Sequence, residues 1–159
     1  MTTARPLAAL LALLLAAAPP PAVAQPSNRS LALEGALGAH GRQAFALAAG
    51  TWLDGDVEAV ARLRLEVAPR TPVRAAAWAT APSLGLRWAP DAGEWRPAAG
   101  LEVGARWAPD GRAAMTGGLR AGLEWLAARD VALAGGVGLR WTAGEGAAAE
   151  AALGLTLYF

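Results

Sequence analysis

The sequence predicts an all-β protein, an eight-stranded antiparallel up-and-down transmembrane β-barrel, and three observations carry that reading. The first is the stretch from Trp95 to Trp107. There Trp95, Pro97, Ala99, Leu101, Val103, Ala105 and Trp107 alternate with Arg96, Ala98, Gly100, Glu102, Gly104 and Arg106. Alternate side chains of a strand point to opposite faces, so one face is wholly apolar with a Trp at each end. Twelve steps of roughly 3.3 Å, tilted about 40°, rise roughly 30 Å, the thickness of a bilayer's hydrocarbon core. Trp favours the two interfaces of that core. The second observation is that the chain from Ser30 onward divides into eight such segments separated by turn residues. The third is a quasi-repeat: Gly85-Leu86-Arg87-Trp88, Gly104-Ala105-Arg106-Trp107, Gly122-Leu123-Glu124-Trp125 and Gly138-Leu139-Arg140-Trp141. Each sets an inward charge beside an outward Trp at a strand end. Antiparallel strands then put Trp88 and Trp125 on one rim and Trp107 and Trp141 on the other.

Composition narrows the classes further. A chain of 159 residues has room for one domain. It is 55% hydrophobic, yet no run outside the N-terminus approaches the ~20 apolar residues of a membrane helix. All basic residues are Arg, and the net charge of +1 gives no basic footprint for nucleic acid. Cys is absent, which removes disulfides, thiolate metal sites and a lipidated Cys.

Residues 1–24 read as a cleaved leader: a short n-region from Met1 to Arg5, an apolar core from Leu7 to Ala18, then prolines and Ala22-Val23-Ala24. Small residues at Ala22 and Ala24 fit signal-peptidase cleavage after Ala24, leaving residues 25–159 as the barrel. The first strand is Ser30 to Ala39, with Leu31, Leu33, Gly35, Leu37 and Ala39 on one face and Glu34 on the other. After the turn His40-Gly41-Arg42 comes Gln43 to Leu53. Here Trp52 falls on the face opposite Phe45 and Leu47, a mismatch that a bulge would reconcile. Asp54-Gly55-Asp56 marks a hairpin turn. Val57 to Val67 alternates cleanly, with Glu58, Arg62, Arg64 and Glu66 on the polar face.

Ala68 to about Ala75, with two prolines, is a loop. The fourth strand runs from about Ala76 to Ala89 with Trp78, Thr80, Pro82, Leu84, Leu86 and Trp88 on one face and Arg87 opposite. Pro82 cannot donate to a ladder, which predicts a bulge there or a late start near Ser83. The turn from Pro90 to Gly93 leads into Trp95–Trp107, and Pro109-Asp110-Gly111 turns the chain again. Ala113 to Leu126 points Met115, Leu119, Leu123 and Trp125 outward, with Thr116, Arg120 and Glu124 opposite. Val131 to Trp141 points Val131, Leu133, Val137, Leu139 and Trp141 outward, with Arg140 opposite. Ala147 to Phe159 closes the set, with Leu153, Leu155, Leu157 and Phe159 outward and Glu150 and Tyr158 opposite.

Alternation alone does not separate a membrane barrel from a soluble one. The polar face decides it, because its charges are separated by Gly and Ala. Such residues suit a narrow interior that long Arg and Glu side chains must fill, whereas a solvated surface carries a dense mixture of charges. The apolar face shows Trp at strand ends and aliphatics between, an interface pattern. The interface aromatics are Trp78, Trp88, Trp95, Trp107, Trp125, Trp141 and Phe159.

The leader, the eight amphipathic strands and the ending Leu153-Gly154-Leu155-Thr156-Leu157-Tyr158-Phe159 resemble small bacterial outer-membrane β-barrel proteins of the OmpA/OmpX-like kind. The resemblance covers the whole mature chain and rests on pattern. It implies an outer-membrane location, lipid as the surrounding partner, and recognition of the Phe159 strand by the barrel-assembly machinery. In contrast to such proteins, all connections but one are short, which speaks against an adhesin or receptor role.

The inward residues expected to pair are Glu34, Glu58, Glu66, Glu102, Glu124 and Glu150 against Arg62, Arg64, Arg87, Arg96, Arg106, Arg120 and Arg140. Opposite charges in a confined space should pair because an unpaired buried charge is costly. This predicts a sealed, ion-paired lumen in a monomer with a structural role in the envelope, without cofactor, metal or catalysis. Two alternatives are a soluble secreted or periplasmic barrel holding a small apolar ligand, and a lipid-modifying barrel enzyme. The latter would have to use His40, the single histidine, with Ser83, and neither lies in a nucleophile motif.

Overall fold

The computed structural model describes residues 28–69 and 77–159. The expected leader and most of the Ala68–Ala75 loop lie outside the described residues. Eight strands form: β1 (Arg29–Gly38), β2 (Gln43–Asp54), β3 (Val57–Ala68), β4 (Ala77–Trp88), β5 (Trp95–Trp107), β6 (Ala113–Ala128), β7 (Val131–Thr142) and β8 (Gly146–Tyr158). A short 3-10 turn, Ala39–Gly41, joins β1 to β2. Every strand pairs antiparallel with its sequence neighbour, and β1 pairs with β8 through Leu31↔Leu157 and Leu33↔Leu155, closing the barrel. Closure leaves no edge, which is the condition for a sheet in hydrocarbon.

Followed once round the sheet from Gly38, the pairing passes through Glu150, Gly138, Arg120, Gly100, Arg87, Glu58 and Trp52. It returns to β1 at Asn28, a shear of 10 residues. With eight strands, that shear sets a tilt of about 40° and a radius of about 8 Å. Only short spans separate the walls, so the inward side chains meet across the axis.

The facing follows the period-2 pattern. Leu33, Leu84, Val103, Met115, Leu119, Val137 and Leu153 lie exposed on the outside, while Glu58, Glu102, Glu124, Arg64, Arg140 and Glu150 are buried inside. An outer belt of exposed leucines and valines around a charged core is stable only where the surroundings are apolar, so the outer face is a membrane face. Asn28 and Phe159 lie at one rim, with Trp88, Trp95 and Trp125; the far rim carries Trp78, Trp107 and Trp141. Trp95 and Trp125 stack, 6.1 Å between ring centroids.

Two expectations are corrected. No bulge or late start occurs at Pro82: β4 runs through it, paired Leu63↔Pro82 with β3. Towards β5 the pairing skips Ala81 and Pro82 and resumes in the same register, Ser83↔Gly104 and Thr80↔Trp107. The imino nitrogen lacks a hydrogen to donate, so the ladder opens locally without changing register. In β2 the register shift falls between Trp52 and Asp54, after the Trp instead of before it. Trp52 therefore stays on the inner face, opposite Phe45 and Leu47, and its ring meets the Arg87 and Arg96 guanidiniums at 5.6 and 5.8 Å.

The quasi-repeat also has a backbone cause. A Cβ on Gly85, Gly104 or Gly122 would overlap the carbonyl oxygen of Leu101, Pro82 or Gly135 on the neighbouring strand. At Gly138 it would lie 2.8 Å from the Leu119 oxygen. The sheet folds so sharply along β4/β5 and β6/β7 that only glycine lets the strands approach.

Candidate functional site

Among the described residues, the lumen is where chemistry gathers. Each of the thirteen charged residues expected inside, from Glu34 to Glu150, makes at least one ion pair. The pairs fall into two groups at different heights.

Near the terminal rim, Arg87 on β4 reaches across to Glu124 on β6 and bonds Glu58 on β3 at 2.6 Å. Arg96 on β5 bonds Glu124 at 2.9 Å. The Tyr158 hydroxyl from β8 accepts from Arg96 at 2.6 Å and donates to Glu124 at 3.0 Å. The Arg96 guanidinium also lies 5.1 Å from the Tyr158 ring. Ser30 donates to Glu58, which is completely buried. Cation–π contacts of desolvated guanidiniums are worth about 2 kcal/mol, so Trp52 and Tyr158 hold this group in place together with the ion pairs.

The second group extends to the far rim. Arg62 joins Glu34 at 2.8 Å and Glu102; Arg120 joins Glu34 at 2.5 Å and Glu150 at 3.1 Å. Above them Arg64 forms a two-pronged pair with Glu150, 2.6 and 3.0 Å, and Arg140 donates to Glu102 at 3.0 Å. Arg106 bonds Glu66 at 2.9 Å and, at the mouth, Glu145 at 2.7 Å; Glu145 also holds Arg42 at 3.1 Å. Glu66 Oε1 lies 3.0 Å from Arg140 Nε and 3.3 Å from Arg64 Nε without hydrogen-bond geometry. That contact is Coulombic only. The Nε of Arg62 and Nη2 of Arg140 have no hydrogen-bond partner among the described residues.

The ion-pair partners of Glu102 are Arg62 and Arg140, with Ser83 donating at 3.3 Å. The tilt selects them: they come from β3 and β7, two strands to either side of β5. Glu145, Arg42, Trp52, Tyr158 and Ser30 were not picked out as members of the network. Glu145 and Arg42 read as turn residues, and only the far-rim hairpins bring them together. Tyr158 carried a signal in its place on the polar face of the last strand, and Trp52 in its odd parity.

Between the two groups runs a ring of small residues, one from each strand. Ala32 and Ala48 come from β1 and β2, Val60 from β3, and glycines 85, 100, 122, 136 and 154 from β4 to β8. With members of both charged groups they line a cavity of about 130 Å³. Ser83 sits on the inner face of β4 with its hydroxyl committed to Glu102, while His40 belongs to the Ala39–Gly41 turn at the far rim. Among the described residues no His, Cys, Asp and Glu group has the arrangement of a metal site.

The fold is that of small outer-membrane-type barrels. The chain is similar to the crystal structure of Neisserial surface protein A, TM-score 0.65 at 14% identity, over 82% of this chain and 94% of that one. It is likewise similar to the N-terminal β-barrel domain of Pseudomonas aeruginosa OprF, TM-score 0.62 at 15% identity, covering 85% and 100%. A de novo designed transmembrane β-barrel matches at TM-score 0.60 and 12% identity, covering 86% and 98%. No protein-family model and no curated protein matches the chain.

Proposed function

We propose that this protein spans a bacterial outer membrane as a closed, ion-paired barrel with a structural role in the envelope, acting as a monomer and without catalysis or cofactor. The observation that carries the reading is the pairing of all thirteen lumen charges inside a barrel about 8 Å in radius. Charges held in mutual pairs are not free to conduct or bind ions, and breaking one leaves a buried charge behind. Export through a leader cleaved after Ala24 belongs to the same reading, as does insertion through the Phe159 strand by the assembly machinery. The terminal rim then faces the periplasm.

The soluble-barrel alternative loses ground because Leu153, Leu155 and Leu157 point outward instead of into a ligand cavity. The test is electrical. Purified barrel reconstituted into planar bilayers should show no steps of conductance at neutral pH, whereas a steady open channel in the parent protein would overturn the closed reading. Recovery from cells in the soluble fraction without detergent would overturn the membrane location.

A further inference from the structure

We infer that the lumen is closed by two independent seals in series, with a hydrated chamber between them. The inference rests on the closed-barrel reading and adds how closure is built. The two charged groups share no ion pair. The terminal group balances two glutamates, Glu58 and Glu124, against Arg87 and Arg96. Its neutrality does not depend on the far group, so opening either one leaves the other satisfied.

The ring between them does not collapse. Side chains alone could fill it, since the wall is a continuous hydrogen-bonded sheet, and at three of its glycines a side chain is barred by the wall. A Cβ would overlap the neighbouring carbonyl oxygen at Gly85 and Gly122, and at Gly136 it would lie 2.7 Å from the Ala121 oxygen. The cavity is thus fixed by strand approach. Its volume of about 130 Å³ is several times the roughly 10–15 Å³ that one water requires. Its ends present Glu34, Arg87 and Arg120, and Arg62 belongs to the same lining. Polar groups at both ends give waters the two to four partners they need, so the chamber has room and partners for water.

The chain has no Cys, so Ala48→Cys places a single thiol in the chamber wall at a position that already carries a Cβ. In proteoliposomes a small membrane-impermeant methanethiosulfonate should leave this thiol unlabelled from either side. Cutting the terminal seal with Arg87→Ala and Glu124→Ala should admit the reagent from the terminal rim only, and no current should flow. Cutting the far seal with Arg62→Ala and Glu102→Ala should admit it from the far rim only, again without current. Only the combination of both cuts should conduct.

Labelling with both seals intact, labelling from both sides after one cut, or current after one cut would each overturn the series arrangement. Conductance of the parent protein would instead refute the closed barrel itself. The heat-dependent shift of folded barrel on gels checks each variant. If a cut prevents folding, the parent protein still decides the hydrated chamber: its Ala32 and Ala48 methyls should show magnetisation transfer from long-lived internal water, and absence of that transfer would overturn it.

Discussion

Glu102→Ala tests the energetic logic of the lumen. Glu102 is 6% exposed and holds Arg62 and Arg140, with the Ser83 hydroxyl as a third donor. Its removal falls unevenly on the two cations. Arg62 keeps Glu34 at 2.8 Å, whereas Arg140 loses the one carboxylate that it meets with hydrogen-bond geometry among the described residues and keeps a Coulombic contact with Glu66. Stranding one partner of a buried pair costs about 3–5 kcal/mol, or roughly two to four decades in the folding equilibrium. The assay is a reversible urea titration of the barrel in phospholipid vesicles, followed by Trp fluorescence. Glu145→Ala is the internal control: its carboxylate is 38% exposed at the mouth, so its loss should cost no more than about 1 kcal/mol. Adding Arg140→Ala to Glu102→Ala should recover part of the loss, because the stranded charge goes with it. Equal small losses at Glu102 and Glu145 would refute the reasoning and mean that water screens the lumen throughout.

Gly104→Ala should destabilise by about 1–3 kcal/mol in the same titration, since its Cβ would overlap the Pro82 oxygen, while Gly35→Ala on the outer face meets nothing within 4 Å and should be neutral or slightly stabilising. Single-Trp variants read by brominated acyl chains should show quenching for Trp88 or Trp141 and little for Trp52; strong quenching of Trp52 would place it outside the lumen. Deleting Phe159, an exposed rim aromatic, should reduce assembly in cells far more than stability of the refolded barrel, and equal effects on both would argue against a role in recognition. The Arg112 backbone N–H and guanidinium in the β5/β6 turn hold the Asp110 carboxyl below the usual aspartate value. A depressed carboxyl contributes its stabilisation above its unfolded value and loses it as pH falls through the folded one. An NMR titration of Asp110 should therefore show a midpoint below that of a free aspartate, and an ordinary midpoint would mean that the turn contacts do not persist.

Strand count and facing were legible from local pattern. A period of 2 needs only neighbours in sequence, and Trp95–Trp107 displays apolar face, polar face and interface aromatics in one segment. The identities of the inward charges were legible for the same reason. Which Glu meets which Arg was not, because partners are fixed by tilt and shear, which belong to the closed sheet and to no single strand. Glu102 with Arg140 is such a pair, joined across the lumen from β5 to β7. Trp52 shows the same limit: its odd parity was visible, but only the position of the bulge after it settled that it faces inward. The glycine of each quasi-repeat was plain in the sequence, and its cause was not. Two backbones must approach before a missing Cβ has a meaning, and that approach exists only once the barrel has closed.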